Sequence, residues 1–146
     1  MKALFIDRDG TINYDCPYCK DPKDLRIYDD AVKFMKEYQD KGYLIVIITN
    51  QSGINRGYFS DSEFHAFNDA VIKALAERGV TVNSTYYCPH RPDEECECRK
   101  PKTGLVLKAV KELKIDLSDS LIAGDRQDRD GELAKNLGIP FILFKR

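Results

Sequence analysis

Short, unbroken apolar runs alternate along the chain with longer stretches whose apolar residues recur at helical spacing. Residues 3–6 form one run ending in Asp7, and residues 43–48 form a second, rich in β-branched side chains. Residues 84–87, 120–123 and 141–144 are further short candidates. Runs without polar alternation are typical of strands buried on both faces, so they predict a mostly parallel sheet. Residues 30–39 place Ala31, Phe34, Met35 and Tyr38 on one helical face, stopped by Lys41-Gly42. Ser60-x-x-Glu63 has capping-box spacing and opens a helix carrying Phe64, Phe67, Val71 and Leu75 as far as Gly79. Residues 104–113 form a third helix and residues 130–137 a fourth, closed by Gly138 with Pro140 just beyond. Strand and helix alternating from end to end predict an α/β, doubly wound fold.

A chain of 146 residues has the size of one domain, and no linker or repeat divides residues 1–146. Hydrophobic residues make up 42% and charged residues 32%, a globular composition. Lys and Arg number 23 against 24 Asp and Glu, so the net charge of -1 offers no basic field for nucleic acid and no anchor for a membrane. No leader is expected, because Met1-Lys2 runs straight into a strand-like segment, and the expectation is a cytoplasmic monomer. Five cysteines in such a chain suggest metal ligands or catalysts more than disulfides. Two irregular stretches, 10–25 and 88–102, are longer than a scaffold needs.

The first strand ends in Asp7-Arg8-Asp9-Gly10-Thr11, and strand alternation sends Asp7 and Asp9 to the same side with Arg8 pointing away. In an open α/β sheet, ligands bind beyond the carboxyl ends of the strands. Two other strands end in Thr49-Asn50-Gln51-Ser52 and Gly124-Asp125-Arg126. A parallel sheet brings Asp7, Asp9 and Asp125 to one edge, where their repulsion calls for a hard cation such as Mg²⁺. Arg99, Lys100 and Arg126 can then bind anionic oxygens, with the Thr49 hydroxyl as a neutral donor. That combination suits phosphoryl transfer, in which a carboxylate can be the nucleophile.

The stretches FIDRDGT (5–11), ITNQSGINRGYF (48–59), CPHRPDEECECRKP (88–101) and AGDRQD (123–128) resemble the haloacid dehalogenase superfamily of phosphohydrolases. More narrowly, they resemble its heptose bisphosphate and histidinol-phosphate phosphatase branch, over nearly the whole chain. The resemblance implies Asp7 as nucleophile, Asp9 as general acid and base, and Mg²⁺ held by Asp7, Asp125 and the Asp9 carbonyl. It implies Thr49 and Lys100 on the transferring phosphoryl group, and Asp15, Tyr18, Asn50, Gln51, Ser52, Arg56, Arg99 and Arg126 around the substrate. Segments 10–48 and 50–99, where relatives insert a cap, are used up by core elements and loops, so the resemblance implies a capless, open site. The expected substrate is a small phosphorylated metabolite, heptose bisphosphate, with histidinol phosphate as the alternative. A receiver-like phospho-accepting domain is the rival from another class; it lacks the first-strand DxDGT and any zinc loop.

Cys88-x-His90-x₅-Cys96-x-Cys98 supplies a Cys₃His set suited to a closed tetrahedral Zn²⁺ site. The spacing is not the usual paired CxxC of a zinc finger; its match to the branch's zinc loop strengthens the reading, with zinc setting Arg99 and Lys100 in place. Cys16 and Cys19 depart from the pattern and are expected as ordinary loop thiols, with a redox pair or part of a second metal site as alternatives. His65 is expected to face solvent, and Tyr58 and Phe59 fit either the core or a substrate.

Overall fold

The computed structural model describes residues 1–146 and holds a five-stranded, wholly parallel sheet. The elements alternate as β1 (Ala3–Ile6), α1 (Asp29–Asp40), β2 (Leu44–Asn50), α2 (Asp61–Glu77), β3 (Ser84–Cys88), α3 (Gly104–Leu113), β4 (Leu121–Gly124), α4 (Glu132–Leu137) and β5 (Phe141–Leu143). The strands lie in the order β3-β2-β1-β4-β5, so the winding reverses beside β1, and the crevice at that switch point is where such sheets bind ligands. No helix is long and apolar enough to cross a membrane.

The unbroken apolar runs serve both faces. Leu4 and Ile6 of β1 join Ile45 and Ile47 of β2 under α1 and α2, with Met35, Phe67, Val71 and Leu75. Ala3 and Phe5 join Val46 and Ile48 under α3 and α4, with Val106, Ala109, Leu133 and Ala134. The inner strands β1, β2 and β4 therefore have two buried faces, which is why period-two polarity is missing from their sequences, whereas the edge strands β3 and β5 are only partly covered.

Several element ends differ from expectation by one or two residues, and in three elements the cause is local. β2 starts at Leu44 and runs on to Asn50, because Thr49 and Asn50 still pair with Tyr87 and Cys88 of β3. β4 starts one residue late, since Ser120 turns its hydroxyl to the Ala3 amide (3.0 Å) instead of extending the ladder. The expected helix 130–137 is α-helical only from Glu132; Gln127–Gly131 forms a wider π turn, whose Arg129, Asp130 and Gly131 amides converge on Arg126 O (3.3, 2.7 and 3.2 Å). Such turns break the helical register and recur at functional sites. Between β1 and α1 there is only a loop with one short 3₁₀ turn, Pro22–Asp24, and between β2 and β3 only α2 and its loops, so no cap is inserted at either place.

Candidate active site

A polar cavity of about 330 Å³ opens at the carboxyl ends of β1, β2 and β4. Its floor is built from Asp7, Thr49, Lys100, Asp125 and Asp130, and its walls from the loops 13–19 and 49–59 and the segment that follows the Cys/His cluster. β1 delivers Asp7, whose amide donates to Ala123 O (3.0 Å) and ties it to β4. Gly10, at φ 88°, then reverses the chain so closely that a Cβ there would meet Asp125. This turn swings the Thr11 hydroxyl to 3.2 Å from Asp7 Oδ2 and 3.0 Å from Asp125 Oδ1.

Asp7, Asp125 and Asp130 bring carboxylate oxygens within 4.8 Å of one another. Burial, together with hydrogen bonding to and repulsion by Asp7, pushes Asp125 up to about 7. A divalent cation would relieve this excess negative charge, so the donor set fits a hard oxygen-loving metal. Lys100 supplies the one charge already in place. Its buried ammonium donates to Asp7 Oδ1 (2.7 Å), Asp130 Oδ1 (2.7 Å) and Ile48 O (3.0 Å). Burial alone would lower the lysine, but the two carboxylates outweigh it and raise it. All three ammonium hydrogens are thereby engaged within the protein.

The expected trio of Asp7, Asp9 and Asp125 meets at one cavity, while the side-chain carboxylate cluster there is Asp7, Asp125 and Asp130. Asp9 lines the cavity but turns its carboxylate aside, and Asp130 takes its place beside Lys100. The cause is Arg8, which does not simply point away. Its buried guanidinium lies over Phe64 and Phe67 and returns to Asp9 through Nε (3.0 Å) and NH2 (3.1 Å). Asn13 donates to Asp9 Oδ1 (3.0 Å) and Gln51 to Asp9 Oδ2 (2.8 Å). Burial would raise the Asp9 carboxyl, but the Arg8 charge and these hydrogen bonds hold it below the usual carboxylate range.

Other expected residues fall around the same cavity in distinct ways. Thr49 is buried and accepts from Gln51 (2.8 Å). Asn50 lines the wall, yet its amide is engaged with the Lys100 main chain, accepting from the amide (2.9 Å) and donating to the carbonyl (3.3 Å). Asp15, Tyr18, Ser52, Arg56 and Arg99 line the walls, and Arg56 Nε donates to Ser52 Oγ (3.0 Å). Burial and the negative neighbours Asp9 and Asp7 raise the Asp15 carboxyl. Arg126 reaches the rim, but its guanidinium pairs with Asp128 (3.0 and 2.9 Å). Arg129, which sequence reasoning missed, lines the cavity instead. Asn13 and Asp130 were also missed; the only signal for Asp130 was a further acid shortly after Asp125, absorbed there into the start of a helix.

The ligand atoms of Cys88, His90, Cys96 and Cys98 converge within 4.8 Å at the end of β3, a Cys₃His set that fits zinc. The loop leans on its neighbours through Arg91 and Glu94, whose partners include Asn55 in the 49–59 wall. Gly104 is needed beneath it, since a Cβ there would strike the Glu97 carbonyl. Cys16 and Cys19, expected as separate thiols, instead have their sulfurs in contact across one turn of the cavity wall, with Cα atoms 5.5 Å apart. Phe59 is buried and Tyr58 is exposed, its ring tilted by 59° against that of Tyr18 with ring centres 4.4 Å apart. His65 is half-exposed, 3.3 Å from Asp61 and 3.4 Å from the Tyr87 hydroxyl.

Carboxylates gathered around a buried lysine at the edge of a doubly wound sheet define a phosphoryl-transfer site, and the fold is that of the haloacid dehalogenase-type phosphatases. D,D-heptose 1,7-bisphosphate phosphatase from B. bronchiseptica, crystallised with magnesium and phosphate, superposes with a TM-score of 0.88 and 32% identity, covering 98% of this chain and 80% of that one. The family model described as polynucleotide kinase 3 phosphatase matches residues 4–143, and the chain belongs to that family within the haloacid dehalogenase superfamily. It is 59% identical, over 97% of its length and 88% of the relative's, to the Thermoplasma acidophilum protein named "Probable D-glycero-D-manno-heptose-1,7-bisphosphate 7-phosphatase". It is 43% identical to the D-glycero-beta-D-manno-heptose-1,7-bisphosphate 7-phosphatase of Haemophilus influenzae, over 86% of this chain and 71% of that one. The protein is a phosphoric monoester hydrolase.

Proposed function

We propose that the protein hydrolyses D-glycero-D-manno-heptose 1,7-bisphosphate through a phosphoryl group carried on Asp7. Asp7 is the one carboxylate held between a fixed cation and a hydroxyl, Lys100 on Oδ1 and Thr11 near Oδ2. Its free lone pairs attack phosphorus while the bond from phosphorus to the sugar oxygen breaks, and Asp9 gives that leaving oxygen a proton. Resting Asp9 is ionised, and the approach of an anionic phosphate raises its pKa toward the protonated form that this step needs. Asp9, now a carboxylate again, takes a proton from the water that attacks the phosphorylated Asp7. Phosphate leaves and the carboxylate is restored. Thr49 and Lys100 border the phosphoryl oxygens, and Gln51 links Thr49 to Asp9. Mg²⁺, held by Asp7, Asp125 and the Asp9 carbonyl with Asp130 in reach, would offset the charge between nucleophile and phosphate.

The observation that carries the substrate class is a group of three guanidinium groups at the cavity. Arg56, Arg99 and Arg129 all line it, and none makes an ion pair within the protein. Burial and then the charges of Arg129 and Arg56 lower the Arg99 pKa, as expected of like charges awaiting an anion. A bisphosphate brings a second phosphate to this group, whereas histidinol phosphate brings an ammonium that it repels. Zinc on Cys88, His90, Cys96 and Cys98 would hold the short loop that ends in Arg99 and Lys100.

Steady-state turnover of the two compounds tests this reading. Heptose bisphosphate should have the higher kcat/KM, and Arg56→Ala should raise its KM about tenfold while barely affecting a monophosphate. Efficient cleavage of histidinol phosphate alone would defeat it.

A further inference from the structure

The turn that carries the nucleophile strand into the cavity is held from behind. The amides of Thr11, Ile12 and Asn13 all donate to Arg8 O (3.1, 2.8 and 3.3 Å), so the carbonyls of Gly10, Thr11 and Ile12 must find donors elsewhere. Ile12 O accepts from the Tyr28 amide (2.9 Å). The other two accept from a single side chain at the far end of the sequence. Arg146 donates through Nε to Gly10 O (3.2 Å) and through NH2 to Thr11 O (2.6 Å). Its NH1 bridges both carboxylate oxygens of Asp30 at the start of α1 (2.9 and 2.8 Å). The guanidinium lies 3.5 Å from the centre of the Tyr28 ring, which stacks in turn on Tyr14. For a long charged side chain it is well covered, at 17% exposure.

Gly10 and Thr11 are the residues on which the site's spacing depends. Gly10 packs against Asp125, and the Thr11 hydroxyl lies within hydrogen-bond distance of both Asp7 and Asp125. A shift of their carbonyls would change the separation of those two carboxylates. A guanidinium can fork onto two adjacent carbonyls while keeping a carboxylate on its third nitrogen; an ammonium cannot reproduce that planar geometry.

We propose that Arg146 is a positioning residue for catalysis: it fixes the Gly10–Thr11 carbonyls and so holds Asp7 and Asp125 in register without touching substrate. This rests on the reading of Asp7 as nucleophile. Its contribution falls on kcat, since it lies behind the nucleophile turn and away from the guanidinium groups that would bind a distal anion.

The test is turnover of p-nitrophenyl phosphate at saturating Mg²⁺ by the wild type and by Asp7→Asn, Arg146→Ala, Arg146→Lys and Asp30→Asn. Arg146→Ala should lose about tenfold or more in kcat with KM little changed, the scale of effect expected when reacting groups are misplaced by a fraction of an ångström. Arg146→Lys should keep the charge near Asp30 and the melting temperature, yet recover only part of kcat. Asp30→Asn removes the ion pair and leaves both carbonyl hydrogen bonds, so kcat should stay at the wild-type level. Wild-type kcat in Arg146→Ala would overturn the proposal, as would an equal loss in Asp30→Asn. If Arg146→Ala does not fold, Arg146→Lys decides alone: lowered kcat at unchanged melting temperature supports positioning, and wild-type kcat refutes it. Turnover surviving in Asp7→Asn would overturn the nucleophile reading and this one with it; an inactive Asp7→Asn beside an unimpaired Arg146→Ala removes Arg146 only.

Discussion

Asp7 and Asp9 sit two positions apart and meet opposite environments. Asp7 faces Lys100 and two further carboxylates, whereas Asp9 is clamped by Arg8, Asn13 and Gln51. Asp7→Asn is expected to keep the fold while lowering turnover by about 10³-fold or more, checked by initial rates beside an unchanged near-ultraviolet spectrum. Arg8→Ala is expected to act through stability. It leaves Asp9 facing a hole where a buried guanidinium lay between Phe64 and Phe67, and should cost about 3 kcal/mol, read as a lower urea midpoint. The pairing of acids after the first strand was legible in the sequence, because strand alternation is a local rule. The return of Arg8 to Asp9 was not, since it depends on two phenylalanines of a helix about sixty residues further on. Lys100 was legible as a cation near phosphate; that both Asp7 and Asp130 occupy it at rest could be seen only once distant segments were brought together.

At the scale of elements, the capping box of α2 was readable from four residues and is present, with Ser60 and Glu63 exchanging hydrogen bonds (3.1 and 2.9 Å). Ser60→Ala should destabilise the protein by about 1 kcal/mol in denaturant melts. The Ser60 amide, more than any other neighbour, holds the Glu63 carboxyl below its ordinary value of 4.5, so folding favours the charged form. That contribution is complete above pH 4.5 and is lost as the pH falls through the lowered folded-state value. Melting curves of wild type and Glu63→Gln should therefore differ at neutral pH and converge in acid; a gap that persists in acid would contradict the cap's charge dependence. The π turn at Gln127–Gly131 was hidden for the opposite reason. Helical periodicity assumes a constant register, and here the register widens where Asp130 reaches Lys100 and Gly124 leaves room for its carboxylate. For the loop after β3, Cys96→Ser should abolish one bound zinc in elemental analysis and lower the melting temperature; full zinc content would exclude these ligands.

Across the whole molecule, a net charge of -1 conceals a separation of sign. Acids line the floor of the cavity at the switch point of the sheet, and three unpaired arginines line its walls. With no cap over it, the site is walled by the loops 13–19 and 49–59 and the Cys/His segment; the alternation of strands and helices marked stretches 10–25 and 88–102 as too long for connectors but gave no such sign for 49–59. The central claim is that phosphate passes through Asp7. It is tested most directly by acid-quenching the enzyme during turnover of heptose bisphosphate with Mg²⁺ and locating the phosphoryl group by peptide mass spectrometry. The account predicts an acyl phosphate on the peptide containing Asp7, absent from Asp7→Asn. A phosphoryl group on another residue, or undiminished turnover by Asp7→Asn, would contradict it.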